Sequence, residues 1–170
     1  MRLADDVRGL ALIEFALTLP FLIALFVGGF QLSDAVSAYR KVTTAARTIA
    51  DLTAQYTAVT NNDLDTILNA SQQVMAPYPA DNAQMTVSQI NIDATGKATV
   101  GWSRGKNMQR LTPGSDFTVP AAIKQANTSL IVAQIFYDYR PTFFDVLIGT
   151  VRLTETIIMS PRASGSIVYT

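Results

Sequence analysis

The chain contains no cysteine and no histidine. The first absence excludes disulfides and thiolate metal sites. The second removes the usual imidazole base, and with it any Ser-His-Asp triad or Cys-His pair. Charge is also scarce. Asp, Glu, Lys and Arg make up 15% of the residues, against about a quarter in ordinary soluble domains. The thirteen basic and thirteen acidic residues cancel, so no global basic field is present to attract nucleic acid. Neither a Gly-x-x-x-x-Gly-Lys-Ser/Thr loop nor a Gly-x-Gly-x-x-Gly fingerprint occurs. These absences argue against an enzyme, and no cofactor and no metal is expected. A chain free of cysteine suits an exported protein, which avoids stray oxidation.

What the chain does have is a short polar leader, residues 1–9, followed by an apolar run over residues 10–30 whose one charge is Glu14. Twenty-one residues in a helix rise about 31 Å, enough to cross the hydrocarbon core of a bilayer. A cleaved secretory signal has a shorter apolar region and ends in a small-x-small site. Val27-Gly28-Gly29 matches that site poorly, so a retained transmembrane anchor is the better reading. Basic residues flank both ends, Arg2 and Arg8 before the run and Arg40, Lys41 and Arg47 after it. The positive-inside count therefore does not set the orientation. Pro20 sits inside the span, removes one backbone hydrogen bond and predicts a kink.

A carboxylate in a span costs about 2.5–3.5 kcal/mol at the helix centre on insertion scales, and less near an end. Glu14 lies about one turn in and calls for a partner. Cleavage after Gly9 would expose an α-amine at Leu10, about one turn away and mostly cationic at neutral pH. That amine could neutralise Glu14 within one chain, or pull two staggered chains into register. The bland alternative is a charge at the end of the span that reaches water. Gly9, four apolar residues, Glu14-Phe15, an apolar stretch and Pro20 together resemble the type IV prepilin motif. The Glu-Phe-Ala and Pro20 details are most similar to TadE-type minor pseudopilins of the Tad (Flp) pilus system. The resemblance covers residues 8–20 and extends more loosely to residue 47; the leader carries Asp5 and Asp6 beside Arg2 and Arg8.

The resemblance implies a structural, non-catalytic subunit, cleaved after Gly9 by a prepilin peptidase. It implies an assembly role for Glu14 and Phe15, and work in initiating or capping a pilus. Its implied partners are other pilin and pseudopilin subunits, the peptidase, the inner-membrane assembly platform and the lipid bilayer. It places the N-terminus in the cytoplasm and the head, residues 31–170, in the periplasm or, once incorporated, in an extracellular pilus. The rival reading is a membrane-anchored periplasmic binding module or enzyme.

Beyond the span, Leu32, Val36, Tyr39, Val42, Ala46, Ile49, Thr53 and Tyr56 recur at helical spacing. One nearly continuous helix over residues 10–56 is expected, with this stripe facing a core. Asn62 is the expected cap of a second helix bearing Asp63 and Asp65 in its first turn, ended by Pro77-Tyr78-Pro79. Strands are expected over residues 85–93, 97–103, 130–139 and 151–159. A bulge is expected between Val87 and Ile90, and a turn at Ala94-Thr95-Gly96. Ala98, Val100 and Trp102 read as one alternating face. Residues 104–118 read as a loop, Pro120 as the start of a short helix, and residues 163–170 as a fraying tail.

The expected fold is α+β: a long N-terminal helix packed on a mainly antiparallel, about four-stranded sheet, as in pilins. Asp63 and Asp65 read as helix capping rather than a calcium loop, because the EF-hand glycine and final glutamate are missing. Asp138 and Glu155 read as surface groups rather than paired carboxylates. Tyr137, Tyr139, Phe143 and Phe144 read as core or as packing of the head against the membrane.

Overall fold

The computed structural model describes residues 8–143 and 149–170. The leader residues Arg2, Asp5 and Asp6, and Phe144, Leu147 and Ile148 of the apolar connector, lie outside them. The first helix, α1, runs unbroken over Arg8–Ala54, with Pro20 inside it. After a short strand β1 (Ala58–Val59) comes α2 (Asn61–Val74), then β2 (Gln84–Ile92), β3 (Ala98–Lys106), β4 (Thr128–Tyr139), β5 (Val151–Met159) and β6 (Val168–Tyr169). A single 3-10 turn, Ala121–Ile123, follows Pro120.

The four long strands form an antiparallel sheet in the order β3-β2-β4-β5. The outer half of α1 covers β4 and β5, and α2 covers β3 and β2. The main core lies between these helices and the sheet, built from Val42, Ile49, Leu64, Leu68, Met85, Val87, Ile131 and Ile135 among others. A second, smaller core lies on the opposite sheet face, where Ile90, Ile92, Val100, Leu130 and Val132 meet Val119, Leu111 and Phe117 of the long β3–β4 connection.

The cap of α2 is Thr60 rather than the expected Asn62. The Thr60 side chain accepts from the Asp63 backbone N–H, and the Asp63 carboxylate accepts from the Thr60 backbone N–H, a reciprocal pair. The Thr60 hydroxyl, which donates to the Asp63 carboxylate at 2.7 Å, and then the Thr60 N–H hold that carboxyl below its usual range. The register shifts between Gln89 and Ile90, within the expected window, and the extra residue lies on β3. Gln89 pairs with Trp102 and Ile90 with Val100, leaving Gly101 as the extra residue. Its position suits glycine, since a Cβ there would meet the Asn91 side chain at 2.7 Å. The bulge turns Trp102 to the helix-facing core, whereas Ala98 and Val100 point into the other one. The single alternating face expected for these three residues is therefore split. The strand also continues past Ser103 to Lys106, and this phase sends Arg104 to α2. Its guanidinium donates twice to the Asp65 carboxylate, each at 2.7 Å.

The last residues do not fray. Strand β6 pairs in parallel with β1, and Ile167 is buried. The Ile167 N–H donates to Gln89 Oε1 at 2.7 Å, and its carbonyl accepts from Trp102 Nε1 at 3.1 Å. Trp102 stacks on Tyr169 with ring centroids 5.8 Å apart. Arg162 pairs with Asp51 at 2.8 Å, and its N–H donates to the Ala54 carbonyl, so the tail is pinned to the end of α1. The sequence of the tail lacks apolar periodicity because it docks through a few anchors rather than along a face.

Two outcomes follow from these contacts. Trp102→Ala removes both the stack and the bond to the tail, and is expected to cost about 3–5 kcal/mol in chemical denaturation; a loss below about 1 kcal/mol contradicts the tail's structural role. The Arg104 bonds, opposed by partial burial, hold the Asp65 carboxyl below its usual range. The pair therefore stabilises the head above about pH 4, and the contribution fades as pH falls through the folded value. Asp65→Asn is expected to flatten that part of the acid-unfolding curve, and an unchanged curve contradicts it.

Candidate functional site

At the apolar end of α1, the Leu, Ile and Phe side chains of residues 10–30 retain between 38% and 77% exposure, and Val27 is half-buried. Among the described residues, the one aromatic contact onto them is that of Phe143 on Phe30 at the outer end. Among the described residues this helix alone is long and apolar enough to cross a membrane. Glu14 and Phe15 are exposed on it, and Glu14 forms no ion pair among the described side chains. Leu10 lies four residues before Glu14, so the two share a helix face. Gly9 is the second residue of α1, and a Cβ there would meet nothing within 4 Å. Packing inside the chain does not require glycine at this position.

Pro20 does not interrupt α1. It leaves the Ala16 carbonyl without its helical donor. Just before it, Thr18 Oγ1 donates to the carbonyls of Glu14 and Phe15, at 3.0 and 3.2 Å. This back-bonding satisfies the Thr18 hydroxyl within the helix. Gly28 and Gly29 likewise have open space around them.

Where the helix leaves the span, a polar cluster ties it to the head. The Asp34 carboxylate accepts from the hydroxyls of Tyr78, at 2.8 Å, and Tyr139, at 2.5 Å. The buried Gln31 side chain donates to the Tyr139 oxygen at 2.6 Å and accepts from the Phe143 N–H at 3.3 Å. Burial first, then the bond to Asp34, pushes both tyrosines above their ordinary range, so they stay protonated donors. Phe143 meets Phe30 edge to face, with centroids 5.9 Å apart. None of these pairings was legible as a cluster in the sequence. The available signal was Gln31 and Asp34, three residues apart immediately after the apolar run, with tyrosines ending β4 and following α2.

Of the expected aromatic group, Tyr137 and Tyr139 are buried in the core, while Phe143 stays exposed beside Phe30. Asp138 and Glu155 do not come together as a pair. Asp138 faces Arg152 at 3.9 Å, and Glu155 accepts from Tyr39 and Thr43 of α1, at 2.8 and 3.0 Å. Among the described residues no group of His, Cys, Asp or Glu could hold a metal ion. The helical stripe is correct only in part. Val42, Ala46, Ile49 and Thr53 are buried, but Leu32, Val36, Tyr39 and Tyr56 face outward. In their place Gln31 and Ala38 are buried and Ala35 packs against the core.

No curated protein and no solved structure matches the chain. The family model of TadE-like proteins matches residues 9–51. That match takes in Gly9, the exposed span with Glu14 and Pro20, and most of the buried outer half of α1; the sheet lies beyond it. Over this helix, about a quarter of the chain, the protein is similar to TadE-like proteins.

Proposed function

We propose that this chain is a minor pseudopilin, cleaved after Gly9 by a prepilin peptidase and acting in the initiation or assembly of a Tad pilus. Residues 1–9 are its leader, residues 10–30 its single membrane span, and residues 31–170 a periplasmic head that includes the outer half of α1. Its N-terminus is cytoplasmic before cleavage. Its role is structural: it packs laterally against other pilin and pseudopilin helices on the inner-membrane assembly platform.

The observation that carries this reading is Glu14, an exposed carboxylate on an exposed apolar helix with no ion pair among the described residues. Removing the leader places a cationic amine at Leu10, one turn away, or offers it to the Glu14 of a neighbour staggered by a turn. In either case a charge costly in lipid acquires a counter-charge. Phe15 lies beside it on the outer surface, available for helix contacts. Pro20 loosens the backbone just beyond, which lets the span adapt when subunits pack. The free space around Gly9 supports a requirement set outside the fold, as recognition by a peptidase would be.

Glu14→Ala is expected to leave membrane insertion intact and to impair piliation at least several-fold, counted by electron microscopy of the complemented deletion strain. Normal piliation contradicts the pairing. Gly9→Leu is expected to block processing, so that the extracted protein keeps the mass of the full chain. A mature chain with the wild-type N-terminus contradicts the requirement for glycine at this position.

A further inference from the structure

The polar cluster at the base of the head opens onto a groove of about 540 Å³, within the range of about 300–1,000 Å³ typical of ligand sites. Asp34, Tyr78, Tyr137 and Tyr139 line it, and the exposed Asp138 and Arg140 stand at its edge. The depth of the groove follows from α1. Phe30 ends the apolar run, and Asp34 is four residues further, about 6 Å along the axis. A bilayer with a core of about 30 Å and a full thickness of about 40–45 Å leaves about 5–8 Å for each headgroup layer. Asp34 therefore sits at headgroup level, and the edge-to-face contact of Phe143 on Phe30 holds the head down at that height.

The lining has a definite chemical preference. A carboxylate held by two tyrosine hydroxyls, beside the partly exposed Tyr78 ring, suits an organic ammonium. Asp34 has two hydroxyl donors but no cation within 4 Å among the described residues, whereas Asp138 already faces Arg152. Arg140 is exposed and forms no ion pair among them, leaving its guanidinium to meet a phosphate. A negative inner wall with a positive edge fits a zwitterion whose ammonium points inward.

We propose that this groove holds the headgroup of a phospholipid with a primary ammonium, the ammonium against Asp34 and the Tyr78 ring, the phosphate at Arg140. The proposal rests on the membrane anchor of the function proposed above. It adds a lipid that fixes how the head is seated on the bilayer.

The test uses the full chain in lipid discs of equal phosphatidylethanolamine and phosphatidylglycerol, with the lipid retained after gentle release read by native mass spectrometry. Phosphatidylethanolamine is expected to be enriched, and Asp34→Asn to reduce the enrichment about tenfold, the difference between a charged and a neutral acceptor. Arg140→Gln, at an exposed side chain outside the cluster, is expected to weaken it as well, and keeps the test sound if Asp34→Asn fails to fold. No enrichment in the wild-type chain, or full enrichment in Arg140→Gln, overturns the proposal. Soluble phosphoethanolamine that binds as tightly as the lipid also overturns it, because the ligand is then a free solute. A chain that does not enter the discs contradicts the anchor itself; entry without lipid preference contradicts the groove alone.

Discussion

One helix has to satisfy two solvents. The first half of α1 presents large apolar side chains outward along its exposed length, and the second half is packed between a sheet and solvent without a break between them. The packing of that second half on β4 and β5 is what the remaining structure is built around. It is achieved with small side chains. Ala38, Ala45, Ala46, Ala50 and Ala54 are buried, with Val42 and Ile49 between them. Alanine lets the helix axis approach the sheet closely, and costs little side-chain entropy on burial. At the point of entry, Asp34 and Gln31 bind Tyr78 and Tyr139 from two other elements. These bonds fix where lipid-facing helix ends and core-facing helix begins.

That same economy explains why the sequence misleads about the helix face. A search for large apolar residues at helical spacing selects Leu32, Val36 and Tyr39, which face outward. The buried positions at that level are Gln31 and Ala38, which no hydrophobic stripe would favour. The helix itself, the antiparallel sheet and the 93–97 turn are legible, because each rests on local periodicity or on turn chemistry. At that turn the Asp93 carboxylate accepts from the N–H groups of Thr95 and Lys97, at 2.8 and 2.9 Å. The tail is not legible in this way. Its order depends on Trp102 and Gln89, about 65 and 78 residues away along the chain. The register shift at Gln89 and Ile90 is legible in β2, while the extra residue, Gly101, lies on the paired strand, since a shift in register leaves its trace in the patterns of both.

The candidate site divides in the same way. Glu14 and its spacing from Gly9 are visible in the sequence, because a lone charge in an apolar run stands out against its surroundings. The groove around Asp34 is not, because its walls come from α1, the segment after α2 and the end of β4. What joins the two is the rigidity of α1. A subunit that packs through its span can orient its head only if the helix transmits direction past Gly28 and Gly29, and the cluster at Gln31 and Asp34 begins within one turn of those glycines.

The most direct test of this account is a distance along α1 in the membrane-embedded protein. The absence of native cysteine allows clean spin labelling of Leu12→Cys with Arg47→Cys, both exposed positions, in the full chain. A continuous helix of thirty-five intervening steps predicts a narrow distribution centred at about 52 Å. A broad distribution, or one centred well below about 45 Å, would show a break between anchor and head and contradict the single rigid helix on which the account stands.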